Sequence, residues 1–173
     1  MFVSAKDKNN NTYNKSVGKL IDGVEVNILD SGELEFVTDY PMIGYLNEDG
    51  STYGIEGNKF SSGDIGEIKE GELFITGRVK DLIIKGGINI SPRQIEEKLE
   101  KAEGVKQVAI VGFEDEFYGE NIACFASGDI SEESLKNYCN DNLEENKIPA
   151  KYIIMDELPI GPTGKVQKNK LKA

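Results

Sequence analysis

The sequence has no histidine, only two cysteines, and no apolar run approaching the ~20 residues of a membrane-spanning helix. Each absence removes a class of function. Without histidine, neither a Ser-His-Asp nor a Cys-His arrangement can be built, so any catalysis must use Lys, Arg, Asp, Glu or the backbone. Cys124 and Cys139 are too few and too far apart for a metal pattern, and no metal site is expected; two reduced, buried thiols are. The opening "FVSAKDKNNN" has neither a signal-peptide core nor the character of a transit peptide, which with the missing apolar run points to a cytoplasmic protein.

Positive charge is also scarce, 20 Lys and Arg against 31 Asp and Glu, and the net charge of -11 argues against a nucleic-acid-binding surface. What basic charge there is gathers at one end. Residues 147–173 hold Lys147, Lys151, Lys165, Lys168, Lys170 and Lys172 against Asp156 and Glu157, an excess of four, so the rest of the chain carries -15. Such a tail reads as solvated surface, as a contact for the acidic body, or as a site for a small anion such as a nucleotide phosphate. With 173 residues, 38% of them hydrophobic, the chain is long enough for one domain or two small ones.

The pattern predicts two. Residues 1–16 are polar and Asn-rich and read as a loop or disordered start. From 17 to 79, "VEVNILD", "GELEFVTD" and "GYLNEDG" alternate apolar and polar residues between turns, and "DIGEIKEGELFITG" forms a hairpin around Glu70-Gly71. This is a small antiparallel β unit, expected to be distorted and barrel-like. From 80 to 173 the fold is α+β, a sheet with flanking helices. Ser91 and Pro92 open one helix, with Ile95 and Leu99 on one face and Gly104 as its stop, and Ser131 caps a second. "VKQVAIVGF", "NIACFAS" and "KYIIMDEL" supply strands. A hinge is expected near residues 78–82.

Candidate chemistry lies in four places. In "FSSGDIG" a carboxylate, Asp64, follows a glycine at the mouth of a strand, where it could accept two hydrogen bonds from a vicinal diol or simply form a turn. Arg78 follows fourteen residues later at the joint, offering planar donors to phosphate or ribose oxygens or a surface ion pair to an acidic neighbour. Gly86-Gly87 could admit a ligand close to the backbone or end a strand. In "LPIGPTGKVQK", two prolines and two glycines shape a turn that is neither helix nor strand and carries Lys165 at its tip. By itself that turn reads as an exposed loop near a terminus.

Together these stretches resemble the adenylate-forming superfamily: acyl- and aryl-CoA synthetases, luciferase-like enzymes and peptide-synthetase adenylation domains. "GELEFVTDYPMIGYLN", "FSSGDIG", "GRVKDLIIKGGINISPRQIE" and "LPIGPTGKVQKNKL" follow the family's order. The joint "GRVKDLIIKGG" looks more like the CoA synthetases. The resemblance implies that Asp64 holds the ribose hydroxyls of ATP and AMP, that Arg78 contacts the same nucleotide, that Lys80 is the hinge, that Lys165 is the catalytic lysine, and that Gly86 and Gly87 line the path of the incoming thiol. It implies ATP, Mg²⁺ and coenzyme A or phosphopantetheine in the complete enzyme, which forms an acyl-adenylate and then a thioester.

Ser62 stands where threonine is more frequent and Gln94 where glutamate is. The larger departure is the family's N-terminal portion, with its phosphate loop and acyl pocket, to which nothing in this sequence corresponds. The expectation is therefore a fragment that is inactive alone, binds no cofactor tightly, and takes that N-terminal portion, on the same or a separate chain, as partner. A carrier protein is a further candidate partner. The alternative is a non-catalytic, stand-alone or split interaction module.

Overall fold

The computed structural model describes residues 16–53, 55 and 57–173; the expected loop over 1–16 thus lies, up to residue 15, outside the described residues. The chain divides into two compact units between Lys80 and Asp81. In the first, β1 (Ser16–Gly18), β2 (Val24–Ile28), β3 (Glu33–Thr38), β6 (Lys59–Lys69) and β7 (Glu72–Arg78) form an antiparallel sheet in the order β1-β7-β6-β3-β2, while β4 (Tyr45–Leu46) and β5 (Thr52–Tyr53) form a separate two-stranded ribbon. No pairing of β1 with β2 closes that sheet among the described residues, so the barrel-like closure expected from sequence is not seen.

The period-two alternation explains the sheet's one buried face. On β3, Leu34, Phe36 and Thr38 are buried and their neighbours are not. Leu34, Phe36, Phe60 and Leu73 make the core, with Phe36 and Phe60 stacked at 5.6 Å between ring centroids. The β6–β7 hairpin turns through Glu70 and Gly71, both at positive φ (53° and 75°), the twist that a two-residue hairpin loop requires.

The second unit follows the 3-10 turn Val79–Asp81. It consists of β8 (Ile83–Lys85), β9 (Ile88–Ile90), α1 (Pro92–Leu99), β10 (Val105–Asp115), β11 (Gly119–Gly128), α2 (Glu132–Asn142) and β12 (Lys151–Ile154). β11 is central, pairing antiparallel with β10 and β8 and parallel with β12. The parallel pair needs a crossover, and α2 provides it. Residues 121–127 of β11 are all buried, as befits a strand covered on both faces.

Alternate residues of β10 and β11 feed two cores. Val108, Ile110, Ile122, Cys124 and Ala126 pack under α1 and α2 with Ile95, Leu99, Leu135 and Cys139. Ala109, Ala123 and Phe125 face the opposite side, where Leu158 and Leu171 from the C-terminal segment cover them. Ser131 caps α2 by accepting from the Ser134 amide at 3.1 Å. Ser91 occupies the corresponding place on α1, but its side chain makes no cap hydrogen bond; Pro92 at the first position leaves one fewer amide to satisfy.

Candidate functional site

In the first unit, the sequence places Asp64 at a strand mouth, but the structure puts it inside the 11-residue β6, at a β-bulge. Against β3, Ser61 pairs with Glu35 and Ile65 with Glu33, so residues 62–64 are bulged out of register. Bulges re-aim side chains. Local bonds fix this one: the Gly63 amide donates to Glu33 Oε1 (3.1 Å) and the Asp64 amide to Ser62 Oγ (3.1 Å). The hydroxyl that Ser62 retains is thus used on the backbone.

On the other side Asp64 stands directly across from Arg78 of β7, and Arg78 Nε donates to Asp64 Oδ1 at 2.8 Å. The two residues singled out for a nucleotide are brought together. Both remain accessible, with side chains 30% and 51% exposed. Just beyond, Gly66 is buried, and a Cβ there would lie 2.6 Å from the Phe74 carbonyl and 2.9 Å from Leu34 Cδ1. Only glycine lets β6 pass that close to β7 beside the pair. Lys80 is exposed in the 3-10 turn at the unit boundary.

In the second unit, Gly86 and Gly87 form the turn between β8 and β9, both at positive φ (57° and 82°). The Gly86 amide donates to the Tyr118 carbonyl (2.9 Å), the Ile84 amide to Glu120 Oε2 (2.6 Å), and Lys85 Nζ sits 5.4 Å from the Tyr118 ring centre. The turn is thereby fastened to the tip of the β10–β11 hairpin. A cavity of about 550 Å³ opens beside it, lined by Lys85, Gly86, Ile88, Tyr118, Glu145 and Asn146.

Lys165 is exposed, and among the described residues it makes no ion pair or side-chain hydrogen bond. Its loop is closed. Ile160 and Val166 form an isolated antiparallel bridge, the Gly161 amide donates to the Lys165 carbonyl (2.8 Å), and the Gln167 amide donates to the Pro159 carbonyl (2.7 Å). Both feet are buried, Leu158 at 3% exposure and Leu171 at 8%. No hydrogen bond or ion pair among the described residues joins this loop to Gly86-Gly87.

Residues 94–165 match the family model described as the AMP-binding enzyme C-terminal domain. A 2-succinylbenzoate–CoA ligase of Listeria monocytogenes is 39% identical over 161 residues, covering 91% of this chain and 34% of the relative. A long-chain-fatty-acid–CoA ligase of Mycobacterium tuberculosis is 38% identical over 146 residues, covering 82% of this chain and 29% of the relative. The chain carries an AMP-binding enzyme C-terminal domain. Among solved structures, the o-succinylbenzoate CoA synthetase from Bacillus subtilis in complex with its acyl-adenylate intermediate is similar at a TM-score of 0.79 and 28% identity, covering 92% of this chain and 36% of that one. The chain thus spans about a third of the length of the curated relatives it matches.

Sequence reasoning missed one charged pair. Glu96 of α1 accepts the Ile110 amide (2.7 Å) and Lys168 Nζ (2.6 Å) on the same oxygen, with its side chain 16% exposed. Lys168 lies three positions after Lys165, yet nothing local in the sequence links it to Glu96. The basic tail offers the one usable hint, because a lysine inside a shaped segment must either face water or find an acid. No cluster of three or more His, Cys, Asp or Glu side chains able to hold a metal ion occurs among the described residues. No helix among them is long and apolar enough to cross a membrane.

Proposed function

We propose that the chain is the C-terminal part of an AMP-forming acid–thiol ligase, supplying its catalytic lysine, one half of its nucleotide contacts and the surface past which the thiol arrives. The observation that carries this reading is the presentation of Lys165, an unpaired cation at the tip of a closed loop with both feet in a hydrophobic core. When a carboxylate attacks the α-phosphate of ATP, anion meets anion and charge gathers on in-line oxygens. A lysine held ready there offsets that charge, mainly in the transition state.

Asp64 and Arg78 take the nucleotide. Arg78 occupies one carboxylate oxygen of Asp64 and so orients the group, leaving lone pairs for the two ribose hydroxyls. Lys80, at the boundary between units, is the proposed hinge, and Gly86-Gly87 admits the thiol of coenzyme A, or of a carrier protein's phosphopantetheine, close to the backbone. Magnesium ions shield the triphosphate in such reactions. We assign them no ligand in this chain, since Mg²⁺ is commonly held through substrate phosphates and few carboxylates. The acid is acyl or aryl, in keeping with the names of the relatives. The partner is the ligase's N-terminal portion, and the use of ATP and a free thiol places the work in the cytoplasm.

The second reading, a module without catalysis, gives no reason to keep Asp64, Arg78 and Lys165 together. To test the proposal, the chain is combined with the ligase's N-terminal portion, and acid-dependent ATP–pyrophosphate exchange is measured beside thioester formation from supplied acyl-adenylate. Lys165→Ala lowers the exchange ~100- to 1000-fold and leaves the second half-reaction within a few-fold. Equal loss of both, or none of either, would refute the assignment, as would robust adenylation by these 173 residues alone.

A further inference from the structure

We infer that Glu96 and Lys168 form a clamp that sets the position of Lys165, and that both are positioning residues for adenylation; this rests on the proposed role of Lys165. Among the described residues β10 pairs only with β11, so the outward amide of Ile110 faces an unpaired strand edge. Glu96 reaches over that edge from α1 and satisfies the amide. The same oxygen holds Lys168, which belongs to the C-terminal segment on the other face of the sheet. One carboxylate therefore joins α1, the sheet edge and the tail.

Position explains why this matters to Lys165. The leg that enters the loop is held by Leu158 in the core and by its amide on Gln107 Oε1 (3.4 Å). The leg that leaves it passes through Val166, packed against the same core, then the Gln167 amide on Pro159, and reaches Lys168 within one further residue. From there the 3-10 turn Lys168–Lys170 delivers Leu171 into the core. Without the ion pair, the departing leg keeps Val166 and Leu171 against the core but loses its tether to α1 and the sheet edge. A loop that frays by about 1 Å at a catalytic lysine costs up to ~100-fold in rate.

The pair is an uncommon use of a surface charge. An exposed ion pair contributes little to stability, but Glu96 is 16% exposed and its oxygen is already engaged by a backbone amide. Its geometry is fixed before Lys168 arrives, so the lysine gives up its freedom against a rigid partner. The favourable term appears as loop order.

Two measurements test the clamp. In the chain itself, amide hydrogen exchange at Gly161 and Gln167, the donors that close the loop, is compared among wild type, Glu96→Gln, Lys168→Met and Lys168→Arg. Exchange at both amides is expected to rise at least ~10-fold in the first two variants and to stay near wild type in Lys168→Arg, while the β10–β11 amides keep their protection. Wild-type protection of the loop in Lys168→Met would overturn the clamp whatever the chemistry of Lys165. In the recombined ligase, Lys168→Met is expected to lower kcat of the exchange reaction ~10- to 100-fold with KM for ATP within about twofold, and to spare thioester formation from supplied acyl-adenylate. A loss shared equally by both half-reactions would reduce the pair to a structural role. If Lys165→Ala alone left exchange intact, the failure would belong to the proposed function, and hydrogen exchange would still decide the clamp.

Discussion

The two candidate clusters are built in opposite ways. Asp64 and Arg78 face each other across a sheet ladder, at a bulge stiffened by backbone bonds to Ser62 and Glu33, and each is the other's partner. Among the described residues Lys165 is unpaired, and the order of its loop comes from the bonds that close it, from its buried feet and from Lys168 on Glu96. The difference teaches where rigidity is spent. The pair proposed as a nucleotide cradle would gain from being formed in advance, because the sheet fixes its geometry without help from the ligand. A cation that must meet charge only in the transition state gains from having no partner to give up.

The comparison breaks first at the loop's feet. Leu158→Ala removes a side chain that is 3% exposed from the core beneath the loop, and is expected to cost ~2–5 kcal/mol, read as a lower denaturant midpoint at unchanged slope. A cost under about 1 kcal/mol would mean that the feet are not what holds the loop. Gly66→Ala is the matching test on the sheet. The new methyl must displace the Phe74 carbonyl or Leu34, and ~1–3 kcal/mol of destabilisation is expected. Shifted amide resonances centred on β6, β7 and Leu34 of β3 would accompany it, and an unperturbed variant would show that the strands have slack beside Asp64.

Next comes a pH effect in the core under α2. Burial pushes the Cys124 thiol well up, with nearby Cys139 and Glu96 adding to it, and burial raises Cys139 as well. The folded thiols thus stay neutral where those of the unfolded chain ionise. Their contribution is intact below the ordinary value of 9.0 and declines as pH rises past it, by up to about 1.4 kcal/mol per pH unit per thiol. Denaturation at stepped pH reads this directly. Iodoacetamide at pH near 8 should leave both thiols of the folded chain unlabelled and modify them after unfolding, since the thiolate is the reactive form; rapid labelling of either would contradict the burial.

What could be read in advance divides along the same line. Features written within a few residues were legible: the Glu70-Gly71 hairpin, the Ser131 cap, the alternation on β3 and the shaped turn at Pro159 to Gly164. Features that depend on distant partners were not. Nothing in "KYII" says that β12 joins β11 in parallel, because that follows from the crossover through α2. "FSSGDIG" shows a carboxylate after a glycine, but the bulge that aims it arises from two mismatched registers with β3. Glu96 carries no local mark of its role, since the lysine it holds lies far along the chain.

The smallest expected effect gives the sharpest contrast. Because Asp64 and Arg78 remain 30% and 51% exposed, their ion pair is screened by water, and a double-mutant cycle of Asp64→Asn with Arg78→Gln is expected to give a coupling of only ~0.2–1 kcal/mol in stability. The same two substitutions should each weaken nucleotide binding in the recombined ligase by ~10-fold or more, since hydrogen bonds to charged groups contribute about 1.5–3 kcal/mol. A coupling above about 2 kcal/mol with little change in nucleotide affinity would reverse the reading. The pair would then hold the sheet together, and a different part of the ligase would have to hold the ribose.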